Sequence, residues 1–406
     1  MEKNPFNQGE IRSGELTAAS SNIEDAQLPA EYFLEQHYNF RRNVLSGMVE
    51  YKKSDEPDEN YARLTSEALN TIYIMGMREM PDVSELKADI KTYVESSIPP
   101  VYDPIRQWFD SLPQWDGKDR LADFFNRIPG MTEEQLGFMK TWMRSVTAHW
   151  LGIDDEHGNE TVPLLIGNQG CGKSTFCLRL LPPSLRQYYL DHFNLANKFD
   201  KEMALSGCLL ICLDEIDQYK AGQMAELKQA LSKVKVNGRK IYGKTIDERK
   251  RYASFIATTN NRHPLKDQTG SRRYLTIEIP DGELVDNQHE IDYEQLYAQL
   301  LHEVRDEKMR YWFTNEETLR IQELNIPYQE TVDLEAIIDS FYRKPMQGER
   351  GSITSLEIRK ALQTEYPEIA MSNLTSEKIG RALKELKVKK TRSSKGVAYS
   401  LVKRAA

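Results

Sequence analysis

Short alternating runs, helical repeats and unbroken apolar runs succeed one another along this chain, and each predicts a different region. Tyr38–Val44 and Met48–Lys52 flank Leu45-Ser46-Gly47 and predict a β-hairpin with a glycine turn. Leu64–Met75 and Val83–Ser96 carry apolar positions at helical spacing. Residues 28–98 therefore read as a small α+β accessory domain, and no catalytic motif lies in it. Pro99-Pro100 punctuates the chain. Helices over Ile105–Leu112, Arg120–Ile128 and Glu133–Trp150, with a turn at Gln114-Trp115-Asp116-Gly117, predict a helical region over 99–150.

From 151 to 328 apolar runs alternate with helix-like segments. Val162–Ile166, Cys208–Leu213 and Tyr252–Thr258 are the clearest strands, and the alternation predicts an α/β domain with a largely parallel sheet. Residues 292–326 read as one helix. Residues 329–406 then give helices over Asp333–Phe341, Thr354–Glu365 and Ser376–Leu386. Strands over Val388–Arg392 and Val397–Lys403 follow, around Ser394-Lys395-Gly396. That is the order of a winged helix-turn-helix. Ile379, Leu383 and Leu386 form an apolar face suited to pack on Ile358 and Leu362, and Ser376 or Thr375 can cap the start.

Composition narrows the class. With 39% hydrophobic and 29% charged residues over 406 positions, the chain reads as a folded protein of several domains. No apolar run reaches eighteen residues, so no membrane span is expected. Met1–Ser21 is polar and lacks the apolar core of a signal peptide. The expectation is a cytoplasmic protein with a disordered lead over 1–27. The four cysteines, Cys171, Cys177, Cys208 and Cys212, form no CxxC pair, and the seven histidines show no HExxH spacing.

Net charge is −8, which read globally argues against nucleic acid, but its distribution argues the other way. Leu374 to the C-terminus holds ten Lys/Arg against two acids, and Leu227–Arg251 holds nine against two. In the first patch Lys378, Arg381, Lys384 and Lys387 are expected along the side of a helix free to enter a major groove. Lys389, Lys390, Arg392 and Lys395 are expected on a wing beside it. The plain alternative is that these lysines only solubilise a small domain or that it binds protein.

The chemistry concentrates in the α/β region. Gly167-Asn168-Gln169-Gly170-Cys171-Gly172-Lys173-Ser174-Thr175 contains GxxxxGK[ST] between a strand and the helix-like run Thr175–Leu181. Glycines in that setting let backbone N–H groups converge on phosphate oxygens at a helix N-terminus. Lys173 is then expected on the β/γ-phosphates of ATP, and the Ser174 hydroxyl on Mg²⁺. Asp214 and Glu215 end the apolar run Cys208–Leu213, 41 residues after Lys173. Asp214 suits the Mg²⁺-holding role and Glu215 the polarisation of an attacking water, while Asp217 reads as structural. Asn260 ends a third apolar run, where it can sit beside the γ-phosphate. Arg272 and Arg273 follow and suit a transition-state arginine reaching in from a neighbouring subunit; two surface arginines are the plain alternative.

The glycine loop, Leu213-Asp214-Glu215-Ile216-Asp217, the basic segment after it, Ala257-Thr258-Thr259-Asn260-Asn261 and Gly270-Ser271-Arg272-Arg273-Tyr274 come in this order. Together they resemble the virulence-associated protein E family, related to phage and plasmid primase–helicases within superfamily 3 helicases of the AAA+ group. Trp115-Asp116-Gly117 resembles the family's start of the ATPase domain, and Gln295-Leu296-Tyr297-Ala298 with Trp312 its end, so the likeness covers roughly residues 100–315. It implies an AAA+-like α/β P-loop NTPase acting on DNA as a ring, a hexamer by expectation. Lys173 and Ser174 take the Walker-A role, Asp214 and Glu215 the Walker-B role, Asn260 sensor-1, and Arg272 or Arg273 the finger. A basic hairpin in superfamily 3 tracks single-stranded DNA. Lys235-Val236-Asn237-Gly238-Arg239-Lys240 stands there, with a turn expected at Asn237-Gly238. Lys235, Arg239 and Lys240 are expected on phosphates and Tyr242 on a base; an exposed basic loop is the plain alternative. Many relatives carry a primase domain; residues 1–95 are too short for one, so priming would need a separate protein. The competing class is an ATP-dependent loader or regulator that binds duplex DNA without unwinding it.

Overall fold

The computed structural model of the protein describes residues 28–153, 158–239, 246–266, 270–330, 332–367, 369, 371–393 and 396–404. They fall into two units, one reaching residue 107 and including 239–247, the other made of 108–238 and 248–406. In the first, β1 (Tyr38–Asn43) and β2 (Val49–Lys53) form the expected antiparallel hairpin. Asn43 starts the turn, its Oδ1 accepting from the Leu45 and Ser46 amides, and Gly47 closes it at φ 67°. With β3 (Ala62–Arg63) and β4 (Val101–Tyr102) the sheet order is β3-β2-β1-β4. Helices Pro29–His37, Ser66–Glu79 and Leu86–Glu95 bury Phe33, Leu34, Ile72, Leu86 and Ile90 with Phe40 of the sheet.

The second unit is built on a five-stranded sheet. Its strands are β5 (Val162–Ile166), β6 (Tyr189–Leu190), β7 (Leu210–Leu213), β10 (Ser254–Thr259) and β11 (Tyr274–Glu278), in the order β11-β5-β10-β7-β6. All four pairings are parallel. Every residue of β5, β7 and β10 is buried, which is why these runs carry no polar alternation. Between β7 and β10 lie β8 (Lys235–Arg239) and β9 (Ile246–Lys250), a separate two-stranded ribbon. Asn237-Gly238 therefore lies within β8 rather than at a turn; residues 240–245, between the two strands in sequence, lie outside the described residues.

Helix Glu133–Leu151 starts on a Thr132/Gln135 capping box and ends on Gly152 at φ 69°. The two ends of the family-like stretch meet: the Asp116 amide donates to Gln295 Oε1 at 2.9 Å, and the Leu121 amide to Gln299 Oε1 at 3.1 Å. Asp116 also grips Arg120 through both guanidinium Nη atoms, which fixes the Trp-Asp-Gly turn.

Residues 292–326 are not one helix. Tyr293–Leu301 passes into a π-helical turn at His302–Asp306, and Lys308 sits at φ 52°. A new helix, Asn315–Leu324, starts on a Thr314/Glu317 capping box. Glu317 also binds Arg310 through both of its oxygens, so the restart is fixed locally.

The C-terminal segment holds helices Leu334–Phe341, Ser355–Glu365 and Ser376–Glu385. Ile379 and Leu383 bury against Ile358 and Leu362 as expected, with Leu386 half-buried beside them, and Thr375 is the cap. The last expected strand is split. β14 (Lys390–Ser393) pairs with β15 (Gly396–Tyr399), which also takes β13 (Ile353–Thr354). β16 (Val402–Lys403) leaves to pair with β12 (Tyr342–Arg343). Among the described residues no helix is long and apolar enough to cross a membrane.

Candidate active site

Strand register builds the site. β10 lies between β5 and β7, with Thr259 opposite Ile166 and Ala257 opposite Leu213. The residues that follow are therefore brought level: Gly167 beside Asn260, and Asp214 beside Thr258. The Thr258 hydroxyl donates to Asp214 Oδ1. A cleft of about 320 Å³ opens at these strand ends, lined by Gln169, Gly170, Gly172–Thr175, Asp214, Glu215, Thr258 and Asn260. Segments separated by up to about ninety residues in sequence thus converge on one space. A larger cleft of about 690 Å³ lies elsewhere. Its arginines are already paired, Arg262 with Asp281 and Arg320 with Glu134 and Glu323, so size does not make it the reactive one.

Gly170 and Gly172 sit at φ 81° and 93°, a left-handed conformation that turns successive amides inward. A Cβ on Gly170 would point into open space, whereas one on Gly172 would meet Asn287 Nδ2 at 2.6 Å. Helix Lys173–Arg179 begins directly after the loop, two residues earlier than the sequence pattern suggests. Lys173 is buried. Its Nζ donates to Gly167 O at 2.8 Å, Asn168 O at 2.9 Å and Asn260 Oδ1 at 2.9 Å. These are neutral acceptors, so the ammonium charge is balanced by none of them, and an arriving anion gains from it directly. Ser174, Thr175 and Asp214 are exposed to the cleft. Glu215, at φ 48°, bonds Gln218. Asp217 accepts from the Thr259 hydroxyl at 2.5 Å.

Several supports have no motif. Val285 N donates to Cys171 O at 2.9 Å, Asn287 Nδ2 to Gly172 O at 2.9 Å, and Asn168 Nδ2 to Asp281 Oδ1 at 3.1 Å. A loop more than a hundred residues away thus straps the glycine loop. Asp281 also binds Arg262, whose hydrogen bond holds that carboxyl below its ordinary range. Cys177 and Cys212 lie buried, and burial pushes the Cys177 thiol up. Among the described residues no group of three or more His, Cys, Asp or Glu could hold a metal.

Arg272 and Arg273 do not line this cleft. They face another, of about 340 Å³, with Glu160, Trp312 and Phe313. Arg273 is largely buried and pairs with Glu160 at 3.3 Å, whereas Arg272 is exposed. On the ribbon, Lys235 pairs with Glu248 at 2.8 Å across the strands, so its charge is partly met. The Arg239 side chain, Lys240 and Tyr242 lie outside the described residues. The base of β9 is anchored by Arg251, fully buried, donating to the carbonyls of Leu231, Lys233, Ala253 and Asn159. Burial pushes its guanidinium down to about 10.

The four basic residues at steps of three do not share one helix side. Each step of three turns back about 60° on a helix of 3.6 residues per turn. Lys378 accordingly swings towards the domain, where it is half-buried and bonds Asn373 at 2.8 Å. Burial lowers its pKa. Arg381 and Lys384 are exposed, Lys387 lies past the helix end at φ 53°, and Lys389 and Lys390 are exposed by β14. The Arg392 side chain and Lys395 lie outside the described residues.

Among known proteins, the virulence-associated protein E-like domain matches residues 109–330. No curated protein matches the chain. Of solved structures, an A-form apo structure of the NrS-1 C-terminal region is 12% identical, with 93% of this chain and 99% of that chain covered at a TM-score of 0.43. An apo structure of NrS-1 residues 305–718 is 11% identical, with 93% and 98% covered at 0.43.

Proposed function

The chain belongs to the virulence-associated protein E-like family, and from that premise we propose that it is a replication-related DNA enzyme driven by ATP hydrolysis. The full reading is a DNA-dependent ATPase, a superfamily 3-type helicase or translocase. It acts as a ring, by preference a hexamer, with ATP sites between subunits. The observation that carries it is the convergence of the glycine loop, Asp214-Glu215 and Asn260 on one cleft around a buried lysine whose hydrogen-bond acceptors are neutral.

The residues fit Mg-ATP. Lys173 exchanges carbonyl partners for β/γ-phosphate oxygens, and the amides of Gly170–Ser174 cradle the phosphates. Ser174 and Asp214 would hold Mg²⁺, an ion that commonly takes one or two protein ligands and completes its shell with phosphate and water. Bound there, it would neutralise charge on the phosphates. Glu215 leaves Gln218 to orient the lytic water, and Asn260 positions it. Arg272, exposed and outside its own cleft, suits a neighbour's site better than Arg273, which Glu160 already holds. DNA is the proposed partner, single-stranded along the β8–β9 ribbon and duplex at the C-terminal winged helix-turn-helix.

The test is phosphate release with and without single-stranded DNA, beside strand displacement on a forked duplex. Hydrolysis lost in Lys173→Ala and unwinding in the wild type are expected. Wild-type hydrolysis in Lys173→Ala overturns the ATPase reading. A second reading, a loader or regulator that binds duplex DNA without unwinding, is favoured by the exposed Arg381 and Lys384. It predicts ATPase activity without strand displacement.

A further inference from the structure

The turn Ser271–Arg273, which carries both arginines, is a three-residue 3-10 helix, too short to fix its own direction. A side chain from elsewhere braces it. Asn325, fully buried just after helix Asn315–Leu324, donates through Nδ2 to Ser271 O at 2.7 Å and to Tyr274 O at 2.6 Å. Those two carbonyls bracket Arg272 and Arg273. Its Oδ1 accepts from the Thr276 hydroxyl at 2.6 Å, which fixes which way round the amide sits. Both amide donors are thus spent on main chain of the arginine turn, and the third bond orients them. An amide is costly to bury unless it is bonded. A leucine would fill the same space, but it would leave the turn without either donor.

We propose that Asn325 is the positioning residue for Arg272: it fixes the height and direction at which the turn presents that arginine to the ATP site of a neighbouring subunit. The role rests on the reading of Arg272 as a trans-acting arginine. Misplacement of about 1 Å in such a group costs roughly 10²-fold in rate, so the brace is expected to appear in kcat.

The experiment uses the full chain. Asn325→Asp keeps the side-chain size and the bond from Thr276 but removes both donors. Its kcat is expected to fall roughly 10- to 100-fold, with affinity for a non-hydrolysable ATP analogue unchanged within about two-fold. Mixed with Lys173→Ala it should regain activity, because one subunit supplies the intact loop and the other the aimed arginine. Mixed with Arg272→Ala it should not, because both lack the same function. A merely structural loss lowers the melting temperature and shows no such preference of partner. Thr276→Val frees the amide without removing its donors. It should give a smaller loss with the same mixing pattern, and it decides the matter where the aspartate variant does not fold. Unchanged kcat in folded variants, or equal rescue by both partners, overturns the positioning role. The mixture of Lys173→Ala with Arg272→Ala is the control. If it recovers while the Asn325 and Thr276 variants match wild type, only the role of Asn325 falls. If it shows no recovery despite subunit exchange, the shared-site reading falls and the positioning role with it.

Discussion

Lys173 and Lys235 belong to two regions that both present positive charge, and they are built in opposite ways. Lys173 is 7% exposed, and its hydrogen-bond partners are neutral oxygens and the Cys171 sulfur. Lys235 has a side chain 50% exposed and faces a carboxylate. A buried cation bonded only to neutral groups is costly to keep and gains strongly from an anion brought to it. An exposed, paired lysine exchanges one partner for another with little net gain, and salt screens it. Arg272 and Arg273 share only the pairing half of that contrast, with burial reversed: the exposed Arg272 stands outside the Glu160 ion pair, and the largely buried Arg273 is committed to it. Position rather than the count of basic residues therefore separates chemistry from solvation here.

The largest expected effect is at the buried site. Lys173→Ala should abolish ATP hydrolysis and weaken nucleotide binding, measured by phosphate release and by equilibrium binding of an ATP analogue. Retained tight binding would remove the contrast with the surface lysines. Arg272→Ala should follow, with turnover falling on the order of 10³-fold or more and ATP affinity kept. Arg273→Ala should cost less turnover and more thermal stability, because it breaks the pair with Glu160. The reverse order would exchange their roles.

Glu215→Gln should bind ATP normally and turn over roughly 10²-fold more slowly or worse, since Asp214 would still be there to hold the proposed Mg²⁺. Wild-type turnover would end the lytic-water assignment. The smallest effects belong to the surface. Removing Lys235, Arg239 and Lys240 together should flatten the salt dependence of single-strand affinity by about 0.7 in log–log slope for each phosphate no longer neutralised, with ATP binding intact. Arg381→Ala with Lys384→Ala should weaken duplex binding in the same graded way and leave basal ATPase unchanged. Lys378→Ala should change it less, because that side chain is turned onto Asn373. An effect of Lys378→Ala equal to that of the exposed pair would mean that burial does not set the ranking.

Sequence by itself determined the elements whose signals are local. Unbroken apolar runs marked β5, β7 and β10 because strands covered on both faces need no polar alternation. Glycines at 170 and 172 marked the loop because only they take φ near 90° without strain. Thr314 and Glu317 also carried the signal that breaks the stretch 292–326, but continuous helical spacing concealed it. Tertiary structure alone decided what depends on register and on distant partners. Insertion of β10 between β5 and β7 levels Asp214 with Thr258 and Gly167 with Asn260, and nothing in either run states that order. The strap from Asp281 to Asn287, the Glu160 pair that distinguishes Arg273 from Arg272, and the Asn325 brace each join residues 50 to more than 100 positions apart. Hydrogen bonds at that range leave no periodicity in a sequence, because chain folding and not spacing brings the two groups together.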